Sequence, residues 1–481
     1  MSNVSGIIKS IQDIMRKDAG VDGDAQRIGQ LVWMFFLKIL DTKEEELAIL
    51  SDDYNSPVPE RFRWNAWATD PEGMTGENLL GFINNDLFPA LKELRTEGAE
   101  KERATVIRRA FEDAYNYMKS GTLIRQAINK LNEINFTHSD DLHTFGDVYE
   151  QILKDLQSAG NAGEFYTPRA ITQFMVEMVD PKLHETVLDP ACGTGGFLTH
   201  TVDHKADLYQ EKAGDIEVLQ SSVFGVEKKA LPHLLCTTNM MLHGIEAPTN
   251  IRHGNTLSRP LRDYSKKDRV DVILTNPPFG GMEEDGIESA FPATFRTRET
   301  ADLFLVLIMH LLKDGGRAAV VLPDGTLFGE GIKTRIKEKL LTECNLHTIV
   351  RMPNGVFNPY TGIKTNLMFF EKGTPTTDVW FFEHPYPEGY KSYSKTKPLR
   401  IEEFTPEKAW WTNRTETDQA WKVSAETIKA SGYNLDIDNP NKADKGPGDP
   451  LELLAAYEAN KDAAQTTRDG LKTILEQSLF S

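Results

Sequence analysis

The strongest constraint on the fold is an alternation of short apolar runs with helical stretches between residues 160 and 373. Most of these runs contain β-branched residues and each has the length of one buried strand, whereas Leu303–Leu312 and Ile332–Leu341 have helical periodicity. Strands that alternate with helices favour a parallel-dominated, doubly wound sheet. The strand-like runs are Thr186–Leu188, Val223–Val226, Val270–Leu274, Ala318–Leu322, His347–Val350 and Asn366–Phe370. We therefore predict an α/β domain over residues 157–373.

The N-terminal region has a different pattern. Apolar residues recur every three to four positions from Val4 to Met15 and again from Ile28 to Ile39, and no segment alternates as a strand would. This spacing predicts an all-α domain over residues 1–156. The small and polar residues of Gln157–Gly163 then favour a flexible connection to the α/β domain.

Residues 374–481 form a predicted C-terminal extension. Its segment Asn434–Pro450 is rich in turn-forming residues and is typical of a linker. Beyond it, apolar residues from Leu454 to Leu475 fall near heptad positions, which predicts a terminal helix. The pattern fits a helix packed on its own domain as well as a coiled coil with a partner subunit.

The net charge of the chain bears on whether it can bind nucleic acid without a partner. The 54 basic and 72 acidic side chains give a net charge of −18, so the overall field repels phosphate. A protein that binds DNA unaided is more typically basic. If DNA is the substrate, we therefore expect a partner to help hold it.

The cysteine and histidine patterns exclude several site types. Cys192, Cys236 and Cys344 lie far apart without a CxxC pair, which argues against a disulfide framework and a multi-cysteine zinc site. The eleven histidines form no HExxH motif, so we predict no metal site. The sequence also has no signal-peptide pattern and no membrane span, and we expect a cytoplasmic protein.

A glycine-rich segment, Leu188–Leu198, follows the first predicted strand and opens a helix. Glycine lets the backbone approach a ligand closely, and a helix N-terminus offers free N–H groups. A dinucleotide fingerprint would need glycine where Leu198 stands, and the chain has no Gly-Lys pair for a Walker A loop. A nucleoside that carries an amino-acid tail therefore fits this loop better than a polyphosphate does. Glu227 ends the second predicted strand, where a carboxylate can accept hydrogen bonds from both ribose hydroxyls.

The predicted strand that begins at Val270 leads into Asn276-Pro-Pro-Phe279. The two prolines stiffen the turn and remove two backbone donors, so its oxygens can accept hydrogen bonds. Asn276 and the carbonyl of Pro277 can accept the two hydrogens of an –NH2 group, while Phe279 stacks on the planar ring that bears it. The motif predicts a pocket that orients an amino nitrogen toward an electrophile.

The ordered set Asp189–Phe197, Glu227 and Asn276–Phe279 resembles the class I (Rossmann-like) S-adenosyl-L-methionine-dependent amino-methyltransferases that act on DNA. Gly163–Arg169 lies just upstream of the cofactor loop, as in the adenine-N6 group. With the helical N-terminal region and Ser431–Leu435, the chain is most similar to the modification (M) subunits of type I restriction-modification systems. The resemblance is strongest between residues 145 and 370.

The resemblance implies two sets of site residues. The acidic residue that the family often places near the cofactor adenine is replaced here by Asn255. The implied cofactor-binding residues are Glu164, Phe165, Tyr166, Thr167, Pro168, Arg169, Asp189, Gly193, Thr194, Gly195, Gly196, Glu227 and Asn255. The implied catalytic residues, which would hold a flipped adenine, are Asn276, Pro277, Pro278 and Phe279.

The resemblance also implies the reaction and the partners. An adenine of double-stranded DNA would leave the helix stack, and its N6 nitrogen would receive the methyl group directly. The implied partners are a specificity (S) subunit, a second M subunit and a restriction (R) motor-nuclease subunit. Three alternatives stay open: methylation of cytosine N4, methylation of a protein glutamine or a ribosomal guanine, and a catalytically silent assembly subunit.

Overall fold

The computed structural model of the chain describes residues 4–51, 53–134, 149, 167–209, 212–358, 361–394, 396–441 and 450–479. Within these ranges the chain forms a helical N-terminal part, a large sheet flanked by helices, and a separate terminal helix. The predicted connection at Gln157–Gly163 lies outside the described residues.

The sheet has nine strands in the described part of the chain. They are β1 (Val187–Asp189), β2 (Val223–Glu227), β3 (Ile251–His253), β4 (Val270–Thr275), β5 (Leu312–Pro323), β6 (Cys344–Arg351), β7 (Thr365–Lys372), β8 (Asp378–Glu383) and β9 (Ala420–Ser424). Their order is β3-β2-β1-β4-β5-β7-β6-β8-β9. The first five in this order run parallel, and β7 inserts antiparallel between β5 and β6. The predicted α/β class with a doubly wound sheet is confirmed.

The chain reverses its direction of travel across the sheet between β1 and β4. In open α/β sheets the loops at the carboxyl ends of such strands diverge and leave a crevice for a ligand. The glycine-rich loop follows β1 and the Asn-Pro-Pro-Phe turn follows β4, so the fold brings both predicted motifs to this crevice.

All six predicted strands are present, and three further strands extend the sheet. β3 was not predicted because its three residues include only one that is apolar, Ile251. β8 and β9 lie beyond residue 373 and pair with each other and with β6. The predicted domain boundary at residue 373 therefore falls inside the sheet.

The N-terminal part is built around one long helix, Asp24–Leu50. Every residue from Gln30 to Leu40 is buried, so this helix forms the centre of a helical domain rather than one of its outer faces. The other N-terminal helices are Val4–Met15, Trp64–Trp67, Gly76–Gly81, Phe88–Lys92, Lys101–Glu112 and Gly121–Leu131, with a π-helical turn over Phe82–Leu87.

Helix Ala230–Leu242 joins the two parts of the molecule. Leu234 and Leu235 pack into the core of the N-terminal helices, whereas Cys236 and Met240 belong to the core of the sheet. The N-terminal domain therefore rests directly on a helix that borders the predicted cofactor loop. The remaining helices of the sheet region are Arg169–Val179, Gly196–Tyr209, Ala213–Ser222, Thr300–Leu311, Asp324–Phe328, Ile332–Glu343, Thr405–Trp411 and Ala425–Ala430.

The C-terminal extension divides into a packed and an unpacked portion. Leu435 is fully buried and Asp436 forms an ion pair with Arg351 of β6, so the first residues of the predicted linker pack on the sheet. The terminal helix spans Pro450–Leu479, and all of its described side chains are exposed. The described side chains of this helix therefore show no burial against its own domain, which was one of the two interpretations of the sequence.

A membrane-crossing helix would need a long, apolar segment, and none of the helices in the described ranges combines the two properties.

Candidate active site

A cavity of about 320 Å³ lies at the carboxyl ends of β1, β2 and β4. Its volume is that of a site for a nucleoside-sized ligand. The predicted site residues that line it are Thr167, Arg169, Asp189, Gly193, Thr194, Gly196, Glu227, Asn276 and Pro278. The structure thus brings together Thr167 and Asn276, which lie 109 residues apart in the chain.

The glycine loop needs glycine for two separate reasons. Gly193 and Gly195 have φ angles of +52° and +87°, which residues with a Cβ atom rarely adopt. A Cβ on Gly196 would lie 1.9 Å from Nη1 of Arg169, so only glycine leaves room for this guanidinium beside the loop. Arg169 therefore lies against the helix N-terminus that follows β1, where it can bind an anionic group.

Asp189 holds the start of the glycine loop through two hydrogen bonds. Its Oδ1 accepts hydrogen bonds from Oγ1 of Thr275 at 2.7 Å and from the backbone N–H of Ala191 at 3.0 Å. The pKa of Asp189 is raised to about 7, mainly by burial. The nearby charge of Glu227 also raises this pKa, whereas the two hydrogen bonds lower it. Asp189 is therefore a buried support whose protonation changes near neutral pH.

Cys192 lies on the same loop but has the environment of a structural thiol. A hydrogen bond with Cys236 and complete burial raise the pKa of Cys192 well above its usual value. A nucleophilic cysteine needs a lowered pKa, so this thiol is unsuited to covalent catalysis.

Glu227 connects the loop after β1 with the loop after β2. Its Oε2 accepts from the backbone N–H of Gly193 at 3.0 Å, and its Oε1 accepts from the backbone N–H of Lys229 at 2.7 Å. These two bonds hold the Glu227 carboxylate between the two loops, in a residue that lines the cavity.

The side chain of Asn276 is held in one orientation. Its Nδ2 donates to Oγ1 of Thr167 over 3.0 Å, whereas its Oδ1 is buried and has no partner among the described residues. A buried oxygen without a partner is costly unless a ligand supplies a donor. Asn276 therefore lines the cavity and holds an acceptor oxygen that has no partner among the described residues.

Several predicted residues do not line the cavity. Phe279 is 2% exposed and packs edge-to-face on Phe357, with ring centroids 6.0 Å apart. Asn255 uses Oδ1 to accept from the backbone N–H of Leu257 and Nδ2 to donate to Glu283. Of the predicted residues that the structure describes, those outside the lining are Pro168, Gly195, Asn255, Pro277 and Phe279. Glu164, Phe165 and Tyr166 lie outside the described residues.

The structure adds lining residues that the motifs did not indicate. Lys228 follows Glu227, and Glu283 lies four residues beyond Phe279. Thr300, the first residue of its helix, donates from its backbone N–H and its hydroxyl to the carbonyl of Gly281. Two consecutive glycines after the Asn-Pro-Pro-Phe turn are the one sequence signal that the chain folds back over the cavity here.

The side chains of the described part of the chain form no group of three or more His, Cys, Asp or Glu residues that could hold a metal ion.

The strand order and the position of the glycine-loop cavity define a class I methyltransferase sheet. A model of the family described as N-6 DNA Methylase matches residues 140–446, and a model of the HsdM N-terminal domain matches residues 5–131. The chain therefore belongs to the N-6 DNA methylase family, which confirms the resemblance found in the sequence.

Relatives match almost the whole chain. The methylase subunit of the type I restriction enzyme EcoEI from Escherichia coli is 61% identical over 99% of this chain and 98% of its own length. A crystal structure of a modification subunit assigned to a type I restriction enzyme from Vibrio vulnificus YJ016 is 46% identical, covers 93% of this chain and 97% of its own, and has a TM-score of 0.83. A chain from a structural study of assembly of the type I R-M system is 36% identical, covers 98% and 97%, and has a TM-score of 0.80.

Proposed function

We propose that this chain transfers a methyl group from S-adenosyl-L-methionine to N6 of adenine in DNA, as the modification subunit of a type I restriction-modification complex. One observation carries the chemistry: Oδ1 of Asn276 is buried without a described partner in the same cavity that the glycine loop lines. Family membership and the names of the relatives support the substrate and the complex.

The lining residues fit the proposed cofactor. Arg169 beside Gly196 would bind the carboxylate of its amino-acid tail, and Glu227 would accept hydrogen bonds from its ribose hydroxyls. The loop lacks the pattern that binds a polyphosphate, which agrees with a nucleoside that has no phosphate group. When bound, S-adenosyl-L-methionine supplies an electrophilic methyl group on a sulfonium centre.

Asn276 and Pro277 orient the target amino group. Oδ1 of Asn276 accepts one N–H hydrogen of the adenine. The carbonyl of Pro277, a residue outside the present cavity lining, accepts the other once the base has entered, so the nitrogen lone pair is turned toward the cofactor side of the pocket. Both acceptors also stabilise the positive charge that develops on the nitrogen. Since Phe279 is covered by its neighbours, stacking of the base on its ring requires these side chains to move as the base enters.

DNA recognition is assigned to the assembled complex rather than to this chain alone. The net charge of −18 opposes unaided binding of a polyanion. The partners are double-stranded DNA, a specificity subunit, a second copy of the chain and a restriction subunit. The terminal helix, exposed on its described side chains, and the N-terminal helical domain are the surfaces assigned to these contacts.

The test is methyl transfer from labelled S-adenosyl-L-methionine to DNA, with and without the specificity subunit. We expect label in N6-methyladenine only when the partner is present, and its loss in Asn276→Ala. Asn413→Ala, at an exposed position remote in sequence from the motif, should retain wild-type transfer. Label in a protein or in RNA, or cofactor binding without transfer in any mixture, would overturn the proposal.

A further inference from the structure

Glu283 is a buried acidic residue that no motif in the sequence indicates. It follows the Asn-Pro-Pro-Phe turn and lines the same cavity as the glycine loop, with only 10% of its side chain exposed. Acidic side chains are almost never buried unless they are paired. The position therefore needs an explanation in terms of its partners.

The backbone and the side chain of Glu283 are both fixed. Its N–H donates to the carbonyl of Arg298 at 2.9 Å, and its own carbonyl accepts from the guanidinium of the same residue at 3.0 Å and 3.3 Å. Its Oε2 accepts from Nδ2 of Asn255 at 3.1 Å and from Nζ of Lys228 at 3.3 Å. The segments after β2, β3 and β4 thus meet at one carboxylate.

The other oxygen of this carboxylate remains available. All hydrogen bonds described for the Glu283 side chain use Oε2, and Oε1 makes none with the described residues. The two bonds on Oε2 fix the rotation of the carboxylate. Oε1 is therefore a positioned acceptor in a residue that lines the cavity.

The neighbours of Glu283 locate it within the cavity. Lys228 directly follows Glu227, the residue proposed to hold the ribose, whereas Arg169 and Gly196 line the part assigned to the amino-acid tail. A nucleoside has its ribose between the tail and the base. If Glu227 holds the ribose, the base belongs at the end of the cavity that Lys228 and Glu283 line.

We propose that Glu283 recognises the base of the cofactor by accepting a hydrogen bond from its exocyclic amino group. Asn255 and Lys228 are positioning residues that hold the carboxylate. This inference rests on the proposed function, because it assumes that the cavity binds S-adenosyl-L-methionine. An ionised carboxylate can only accept hydrogen bonds, so it favours a 6-amino purine and opposes a 6-oxo purine, whose O6 is itself an acceptor.

The reaction product and one analogue of it distinguish recognition of the base by Glu283 from a purely structural salt bridge. S-adenosyl-L-homocysteine carries the amino group, and S-inosyl-L-homocysteine carries a carbonyl oxygen in its place. Their dissociation constants would be measured by calorimetry on the full-length chain. We expect the wild type to prefer the adenosyl compound by at least about tenfold, because a polar group left facing the wrong partner is costly.

Glu283→Gln should lower this preference by about tenfold, since a glutamine amide can donate to O6. Glu284→Gln is the matched control: Glu284 also pairs with Lys228, at 3.0 Å, but is 76% exposed, and its variant should keep the wild-type preference. Asn255→Ala leaves the Glu283 carboxylate in place without one of its two donors and should lower the preference by a smaller factor.

The possible outcomes distinguish the role of Glu283 from the proposed function of the chain. A wild type that binds neither compound would contradict the proposed function itself. A wild type that binds both equally, or an unchanged preference in Glu283→Gln, would refute the role of Glu283 while leaving cofactor binding intact. If Glu283→Gln does not fold, as judged by its thermal unfolding, an unchanged preference in Asn255→Ala decides against the proposal.

Discussion

The amide of Asn276 donates from Nδ2 to Oγ1 of Thr167 over 3.0 Å, and this bond joins two segments of the chain that are 109 residues apart. An amide has its donor and its acceptor on opposite sides, so the bond to Thr167 decides where Oδ1 lies. The buried Oδ1 has no partner within the described residues. Under the proposed function, the bond to Thr167 therefore orients Asn276 to accept a hydrogen bond from the substrate amino group.

Removal of the Asn276 amide should abolish most of the catalysis. We expect Asn276→Ala to lower kcat for methyl transfer by about 10²–10³-fold, the range found when one positioned hydrogen-bonding group is removed from an active site. Binding of S-adenosyl-L-homocysteine should change by less than about threefold, because Asn276 acts on the substrate rather than on the cofactor. An equal loss of cofactor affinity would contradict this division of roles.

Thr167→Val should have a smaller effect on the same step. Valine retains the shape of threonine but cannot accept from Nδ2, so the Asn276 amide is no longer fixed in one orientation. The loss of one buried hydrogen bond corresponds to about a tenfold fall in kcat. Thr167→Ser keeps the hydroxyl and should recover most of the rate. Equal kcat values for the valine and wild-type proteins would show that Thr167 does not orient Asn276.

Gly196→Ala should weaken cofactor binding without unfolding the protein. The new Cβ would lie 1.9 Å from Nη1 of Arg169, and the flexible end of that side chain can move away. We expect the dissociation constant of S-adenosyl-L-homocysteine to rise at least about tenfold, because a charged hydrogen-bond partner is lost. Gly214→Ala, also within a helix, has only Glu217 Oε2 near its new Cβ, at 4.0 Å, and should leave binding unchanged. Equal affinities for the two variants would remove Arg169 from the site.

Asp189 should make stability fall as pH rises toward 7. Burial raises its pKa from 3.8 to about 7, so in this interval the folded protein binds a proton that the unfolded chain has released. Its contribution to the free energy of unfolding therefore decreases with pH and levels off above pH 7. Between pH 6 and pH 8 the decrease is about 1.4 kcal/mol for one group.

Asp189→Asn removes this titration and keeps the shape of the side chain. The difference in unfolding free energy between the variant and the wild type should therefore shift by about 1.4 kcal/mol in favour of the variant from pH 6 to pH 8. Denaturant unfolding at the two pH values measures the shift. Parallel pH dependence of the two proteins would show that Asp189 is ionised throughout this range.

The fold was largely predictable because its strands are local patterns. Each of the six predicted runs contains at least two consecutive apolar residues and lies between helical or turn-forming segments, which marks a buried strand. β3 escaped prediction because its sequence Ile251-Arg-His253 holds one apolar residue, and Arg252 is exposed. β8 contains the apolar run Val379–Phe382, but its place in the sheet depends on pairing with β6, which is a contact between distant segments.

The candidate site was predictable where its chemistry is contiguous in sequence. The glycine loop and the Asn-Pro-Pro-Phe turn each carry their own signal, and the strand order brings them together. Lys228 and Glu283, which line the same cavity, carry none. Asn255 is the instructive case: the family resemblance implied a direct cofactor contact, whereas both ends of its amide bond to protein groups, one of them Glu283.

The terminal helix should be dispensable for folding and required for assembly. The described side chains of the helix are all exposed, and several of them are large and apolar. Exposed apolar surface of this kind is typical of a protein–protein contact, so we expect a partner subunit to cover it. These side chains are Leu451, Leu453, Leu454, Tyr457, Leu471 and Leu475. A chain that ends at Gly446 should therefore unfold within about 2 °C of the full-length protein, because the deletion removes no buried contact that the structure describes.

A point substitution separates helix loss from loss of the apolar surface. Leu471→Glu places a charge among the exposed apolar residues of the helix, and we expect it to abolish co-elution with the specificity subunit in size-exclusion chromatography. Gln465→Glu adds the same charge at another exposed position of the helix and should preserve the complex. The thermal midpoints of both variants should match the wild type, because neither side chain is buried in the free chain. If the shortened chain still assembles with the specificity subunit, the contact belongs to another surface, and the N-terminal helical domain becomes the assigned interface.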